Sequence, residues 1–326
     1  MNYRILGKTG FRVSEISLGT WQLGSKWGEE FNEQNAMDTL EAAYQAGINF
    51  IDTADIYQGG ESERAIGKFL KTKEEKIFVV TKCGRKLDPH CAQGYNAENI
   101  NRFVEDSLRN MQVDSLDLVL LHCPPSEVYH NKTAFDALDR LKASGKIQHY
   151  GVSVERIDEA LQALEYDISA IEIIFNMFRL RPAQELFERA QEKNVGIIVR
   201  VPLASGLLTG KYTAATTFGA ADHRSYNRNG EAFDKGETFS GVDYTIGLQA
   251  AQELKEGLQT DNLALSALRY ILMYPAVSSV IPGASSPMQI TQNARAAMLP
   301  SFTSAQMQLV EQVYNLHIKP LVHHLW

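Results

Sequence analysis

Asp52, Tyr57, Lys82 and His122 are four side chains from which a proton donor for a carbonyl oxygen can be assembled. Asp52 closes the apolar run INFID, Lys82 closes KIFVVTK and His122 closes LDLVLLH, while Tyr57 lies in the loop TADIYQGG that follows Asp52. A lone phenol, with a pKa of about 10, is a poor acid at neutral pH. A neighbouring ammonium stabilises the phenolate and lowers that barrier, which is the part Lys82 can play. Asp52 would keep Lys82 charged and aimed. His122 can orient the substrate oxygen or relay a proton to Tyr57. An alkoxide forming there meets a donor set in advance. Taken singly, each residue has a plainer reading: an Asp at a strand end usually caps or turns, and a Lys or His there usually faces water. What argues for chemistry is the coincidence of four suitable types around three successive run ends.

Such a cluster requires the runs to be neighbouring parallel strands. Eight of them (EISLGTW, INFIDTAD, KIFVVTKC, LDLVLLHC, HYGVSV, ISAIEIIFN, GIIVRVPL and VSSVIPG) recur along the chain. They are nearly unbroken in apolar character, as strands buried on both faces are. Amphipathic helical patterns separate them. Met37, Leu40 and Tyr44 share a face before Gly47, and Ile66, Phe69 and Leu70 follow in a second pattern. Ile100, Phe103, Val104 and Leu108 step by three and four after Asn96, a predicted N-cap. Leu138 and Leu141 precede Gly145, and Ile157, Leu161 and Leu164 make a fifth helix. Leu186, Phe187 and Ala190 make a sixth, opened by Pro182. Strands alternating with helices, with no GxGxxG after the first, predict an α/β fold of the closed (β/α)8 type, a TIM barrel, as one domain over residues 1–326. Sites in that fold form at the C-terminal strand ends, where these residues fall. The opening YRILGKTGFRVS reads as a hairpin plugging the other end.

Residues 211–242, after the seventh strand, break the pattern. Tyr212, Phe218, Tyr226, Phe233 and Phe239 in that stretch need somewhere to pack, so a lid is expected there, with a disordered insertion as the alternative. A last helix follows Pro300. His323 and His324 are adjacent, point apart and lack a third ligand, so no metal is expected. The composition, 44% hydrophobic and 22% charged over 326 residues, is ordinary for a globular chain. With a net charge of -7 and no basic stripe, neither nucleic acid nor an acidic membrane is an expected partner. Cys83, Cys91 and Cys123 have no CxxC spacing, which suits free thiols in a reducing compartment. No apolar stretch approaches the ~20 residues of a membrane span. The opening MNYRILGKTG lacks the apolar core of a secretory signal. A soluble cytoplasmic protein is the expectation.

The segments NFIDTADIYQGGESERAIGKFL, FVVTKCG, LDLVLLHCPP, GVSV, RVPLASGLLTGKY and VIPGASSPMQITQNARAA resemble the aldo-keto reductase superfamily, in that family's order and over essentially the whole chain. The resemblance implies a (β/α)8 barrel that binds NADPH extended, without a Rossmann motif, and transfers hydride to aldehydes and ketones. The family's catalytic tetrad falls on Asp52, Tyr57, Lys82 and His122, with Tyr57 as the acid. Some members are cofactor-bound regulatory subunits of membrane channels, so a binder with little turnover is the alternative. A Schiff-base lyase using Lys82 is opposed by Asp52, which would keep the amine protonated.

By the same resemblance, Gly19, Thr20 and Trp21 are expected beside the cofactor, and Ser153 on its carboxamide, although Val154 stands where the family usually has Asn. Glu172 falls on the carboxamide-binding Gln position. A carboxylate accepts the amide N–H but cannot donate, and it favours a positively charged oxidised nicotinamide. Arg200 replaces the stacking aromatic; its guanidinium can stack on the ring or pair with Glu172. Pro202, Leu203, Ala204, Ser205 and Gly206, with Lys211, are expected to wrap the pyrophosphate, without the spacing of a Walker A loop. Gly283, Ala284 and Ser285 suit the adenosine phosphate, and Gln289 and Asn293, four apart, suit the adenine. No Lys or Arg in IPGASSPMQITQN meets a 2′-phosphate, which leaves Arg224 or Arg228 to do so. NADP(H) is favoured, with NAD(H) the alternative. Trp21, Trp27, Tyr57 and His122 are expected to line the pocket for a small-molecule carbonyl substrate, sugars included. His90, Cys91, Tyr95, Arg179 and Arg181 are further neighbours, the paired arginines suiting an anionic group.

Overall fold

Each of the eight apolar runs forms one strand of a single parallel sheet in the computed structural model, which describes residues 1–26 and 28–326. A short antiparallel hairpin comes first, β1 (Tyr3–Ile5) with β2 (Arg12–Ser14). The sheet follows as β3 (Leu18–Gly19), β4 (Phe50–Asp52), β5 (Phe78–Cys83), β6 (Leu116–His122), β7 (Ile147–Ser153), β8 (Ala170–Ile174), β9 (Gly196–Arg200) and β10 (Val277–Val280), each paired with the next in chain order. Parallel bridges Ile16↔Val280 and Gly19↔Gly283 bring the first and last strands together and close the barrel. This is the (β/α)8 architecture.

The helices between strands are α1 (Glu33–Gln45), α2 (Glu61–Leu70), α3 (Ala97–Met111), α4 (Thr133–Ala143), α5 (Ile157–Ala163), α6 (Arg181–Glu185) and α7 (Phe187–Glu192). Beyond β9 come α8 (His223–Tyr226), α9 (Tyr244–Gly257) and α10 (Leu263–Ile271), then α11 (Pro287–Ala294), α12 (Ser304–Val313) and α13 (Lys319–Val322). Local chemistry marks their ends. The Asn96 side chain accepts from Asn99 N at the start of α3, and Gly47 (φ +80°) follows the end of α1 in the left-handed conformation. The predicted sixth helix divides at Leu186, so Pro182 opens α6 while Phe187 and Ala190 belong to α7. No helix among the described residues is long and apolar enough to cross a membrane.

Side chains along a strand alternate between its two faces, and this sorts the core into two parts. Ile51, Val79, Val119, Leu121, Val152, Ile171, Ile197 and Val199 pack outward under the helices. Phe50, Val80, Leu118, Leu120, Ala170 and Ile198 form the inner core, and Leu6, Phe11 and Val13 of the hairpin join them. The hairpin thus plugs the barrel's N-terminal end. It approaches so closely that a Cβ on Gly7 (φ +47°) would lie 2.3 Å from Gly196 N, which leaves room for glycine alone. Continuing the inward alternation by one step places Asp52, Lys82, His122, Ser153, Glu172 and Arg200 in the opposite mouth.

The long segment after β9 is ordered as short turns around α8. Phe218 packs against Tyr212 at 5.3 Å and Phe239 at 5.9 Å, and Phe233 lies 6.1 Å from Trp21 beyond β3. The expected lid therefore sits over the mouth, held by its own aromatics.

Candidate active site

Lys82 lies at the centre of the mouth, with its side chain 1% exposed. Its ammonium donates to Asp52 Oδ1 and, at 3.0 Å, to the carbonyl of Thr53. Tyr57 Oη is 3.5 Å away, within reach of a weak third hydrogen bond. The Tyr57 ring stands edge-on to His122 with 6.0 Å between centroids, and Trp21 stacks on its other side at 6.4 Å. Phenol, ammonium, carboxylate and imidazole therefore share one pocket.

A second carboxylate belongs to this cluster. Ser153 and Glu172 are direct partners across β7 and β8, and Ser153 Oγ donates to Glu172 Oε1 at 3.2 Å. Glu172 Oε2 is 3.4 Å from Lys82 Nζ, an ion-pair distance, yet it has no hydrogen-bond partner. Among the described residues, the Glu172–Arg200 ion pair, one of the two alternatives for Arg200, does not form. Arg200 instead donates to the carbonyl of Val154 at 3.0 Å and ion-pairs with Glu237 of the lid at 3.4 Å, because the alternation points it toward the lid.

Burial governs the protonation of these groups. Desolvation would depress the Lys82 ammonium, but Asp52, Glu172 and Tyr57 outweigh it and hold the pKa above the ordinary value. Burial raises the Tyr57 phenol more than Lys82 lowers it, so this phenol is fully protonated at neutral pH. Burial, then Lys82 and Arg85, hold His122 well below its usual range, so it is a neutral imidazole. It can present one N–H to a substrate oxygen but is not a reservoir of protons.

On the far wall Arg85 lies 3.5 Å from Glu155 and 3.8 Å from Glu237. Burial and then Glu237 push Glu155 up to about 8, whereas Glu237 is lowered: burial opposes this, and Arg200 and Arg85 prevail. Cys123, Glu155 and Glu237 place ligand-type atoms within 4.8 Å of one another, but two guanidiniums already neutralise that group. Its donor set suits a salt-bridge cluster better than a cation.

A model of the Aldo/keto reductase family matches residues 15–315. The chain belongs to the aldo/keto reductase family. It is 31% identical over 299 residues to the aldo-keto reductase YhdN of Bacillus subtilis, covering 89% of this chain and 87% of the relative. It is 29% identical over 310 residues to the NADH-specific methylglyoxal reductase of Escherichia coli, covering 89% and 92%. The solved glycerol dehydrogenase AKR11B4 of Gluconobacter oxydans superposes with a TM-score of 0.78 at 28% identity, covering 97% of this chain and 95% of that one.

In this aldo/keto reductase, a cavity of about 820 Å³ opens from Tyr57 and His122 past Ser153, Glu172 and Arg200 to Pro202, Leu203, Ser205 and Gly206, with Gly19 and Gly283 on its rim. Its size and elongated course fit an extended dinucleotide. The orphaned oxygen of Glu172 and the buried Arg200 in the cavity wall fit a polar, charged ring. Val201 (φ +49°), Ala204 (φ +47°) and Ser205 (φ +52°) adopt the left-handed conformation without being glycine, strain of the kind found at ligand sites. Gly206 (φ +101°) takes a left-handed conformation that favours glycine, and a Cβ there would also lie 2.2 Å from Tyr212 Oη.

Several other expected residues lie apart from this cavity. Thr20 is buried and donates to the carbonyl of Asp52 at 2.7 Å, which ties β3 to β4 rather than facing a ligand. Ala204 is buried and Lys211 exposed. Gln289 accepts from Ser285 N at 2.7 Å and Ser285 Oγ at 3.1 Å, so it shapes the turn that carries Ala284. Asn293 is buried on α11. Arg224 lines the cavity, clamped by Asp222 and Tyr212, while Arg228 stacks on Tyr244. Trp27 lies outside the described residues. His90 bonds Tyr95 at 2.8 Å, and Arg179 and Arg181 engage Trp326 rather than a substrate. Arg85, Glu237 and His223 line the cavity without having been singled out in the sequence, and Phe233, expected only as a lid aromatic, lines it too. Arg85 follows Lys82 closely enough to have been noticed, but the other three lie in a segment without periodicity.

Proposed function

We propose that this chain reduces aldehydes or ketones to alcohols with NAD(P)H, with Tyr57 as general acid. The observation that carries the reading is the position of Tyr57 Oη, 3.5 Å from a Lys82 that is itself paired with Asp52, inside the cavity that ends at His122. A reduced nicotinamide bound there supplies the hydride. Tyr57 gives its proton to the substrate oxygen, and Lys82 stabilises the phenolate that forms. Asp52 keeps Lys82 cationic and aimed. Neutral His122 directs the substrate oxygen toward Tyr57 with one hydrogen bond. Ser153 and the 202–206 loop hold the cofactor, and the lid, through Phe233 and Arg224, excludes water from above.

NADP(H) is the cofactor we assign, with NAD(H) as the alternative. Arg224 at the cavity wall supports the phosphate-bearing form, while a relative named as NADH-specific supports the alternative. The substrate wall joins the aromatic faces of Trp21 and Phe233 to the polar heads of Arg85 and Glu237. It suits a small oxygenated carbonyl compound, in keeping with the methylglyoxal of one relative's name and, on the alcohol side, the glycerol of another's. The three free thiols suit the reducing cytoplasm as its compartment.

Fluorescence titration with NADPH and NADH, followed by turnover on a panel of oxo-aldehydes, hydroxyketones and aldoses, tests this. NADPH should bind and give the higher kcat/KM. Absence of binding by either cofactor defeats the reading.

A further inference from the structure

Lys82 is a buried cation shared by two buried carboxylates. Asp52 is 3% exposed and hydrogen-bonded to it; Glu172 is 2% exposed and approaches it to 3.4 Å through an oxygen that has no hydrogen-bond partner. The neighbouring guanidiniums are paired elsewhere, and among the described residues neither forms an ion pair with Asp52 or Glu172. Arg200 is taken up by Glu237 at 3.4 Å, and Arg85 by Glu155 and Glu237 at 3.5 and 3.8 Å. His122 faces the cluster as a neutral ring, and Tyr57 and Cys123 remain protonated beside it. One ammonium against two carboxylates leaves a buried negative charge, which is too unfavourable to stand alone and must be offset by a proton or by a cation in the cavity.

We propose that Asp52 and Glu172 hold one proton between them in the empty site and release it when the positively charged ring of an oxidised nicotinamide binds. This rests on the functional reading above, since that ring is the cation in question. The proton leaves a carboxyl O–H for solvent, no bond to the cofactor forms, and nothing is oxidised or reduced. Both carboxylates face the same ammonium, and the Asp52 carboxyl is pushed well above the usual carboxylate range, first by burial and then by the Glu172 charge. A neutral glutamine at position 172 would remove both the excess charge and the need for the proton. Glu172 is then a specificity-determining group: it makes the site complementary to the oxidised cofactor and couples that binding to pH.

Calorimetric titration of wild type with NADP⁺ and NADPH, and with NAD⁺ and NADH, in two buffers of different ionisation enthalpy reads the protons directly. Between pH 6.5 and 8, the oxidised form should release close to one proton per site and the reduced form far less. In Glu172→Gln, the release should vanish and the ratio of oxidised to reduced affinity should fall roughly tenfold, the size expected for one nearby charge in a partly screened site. Equal proton counts for both forms in wild type, or an unchanged ratio in the variant, overturn the inference while leaving the functional reading intact. Failure of wild type to bind any of the four removes both. The wild-type proton count stands even if the variant folds poorly.

Discussion

Asp55, three residues past Asp52, is fully buried, and neither of its carboxyl oxygens has a hydrogen-bond partner. Burial, opposed by Lys86, raises it to about 7. Its folded pKa thus exceeds the unfolded value of about 3.9, so the folded state binds the extra proton between those limits. The contribution of this group to stability must therefore fall as pH rises from about 4 to about 7 and stay low above that. Asp55→Asn should be more stable than wild type at pH 8, by of order a few kcal/mol and with a higher Tm, and the difference should close near pH 4. Thermal melts at both pH values check this; a constant difference would show that Asp55 finds a partner in solution. The clustering of Asp52, Tyr57, Lys82 and His122 was legible in the sequence because three of them end apolar runs and one follows directly. The partner of Arg200 was not. Glu237 comes from an irregular segment, and only folding decides that Arg200 reaches it while Glu172 turns to Lys82.

The strands could be read from their apolar continuity, and the alternation within them already sorts inner from outer residues. Where periodicity ends, so did the reading. The run EISLGTW yields only two residues of strand, because the chain turns where Thr20 bonds back to Asp52. The lid was anticipated from its aromatics, but its fastening was not. Trp326, 6% exposed, donates to Asp234 at 2.9 Å, and Arg179 lies 3.7 Å above its ring. Its ring also fills the space beside Gly236 and Gly241 of the lid, so the last residue of the sequence pins the segment over the cavity. Trp326→Ala should remove about 3 kcal/mol or more of packing and expose residues 211–242 to proteolysis. Trp326→Phe, which keeps the ring and loses the N–H, should fall between. Cleavage at the wild-type rate in both variants would show that the lid is held by its aromatics alone.

Barrel closure is what turns distant residues into a site. Asp52, Lys82, His122, Ser153, Glu172 and Arg200 come from six consecutive strands, each one step beyond the inner core, and the hairpin seals the other end so that the cavity opens one way. Within that cavity, the reduction reading stands or falls with the phenol of Tyr57. The most direct measurement is Tyr57→Phe, followed by carbonyl turnover and by fluorescence titration with NADPH on the same preparation. Turnover should fall roughly 10²–10⁴-fold, the usual loss for a positioned acid, while NADPH affinity stays near wild type. Turnover at the wild-type rate would show that another group protonates the substrate and would end the case for Tyr57.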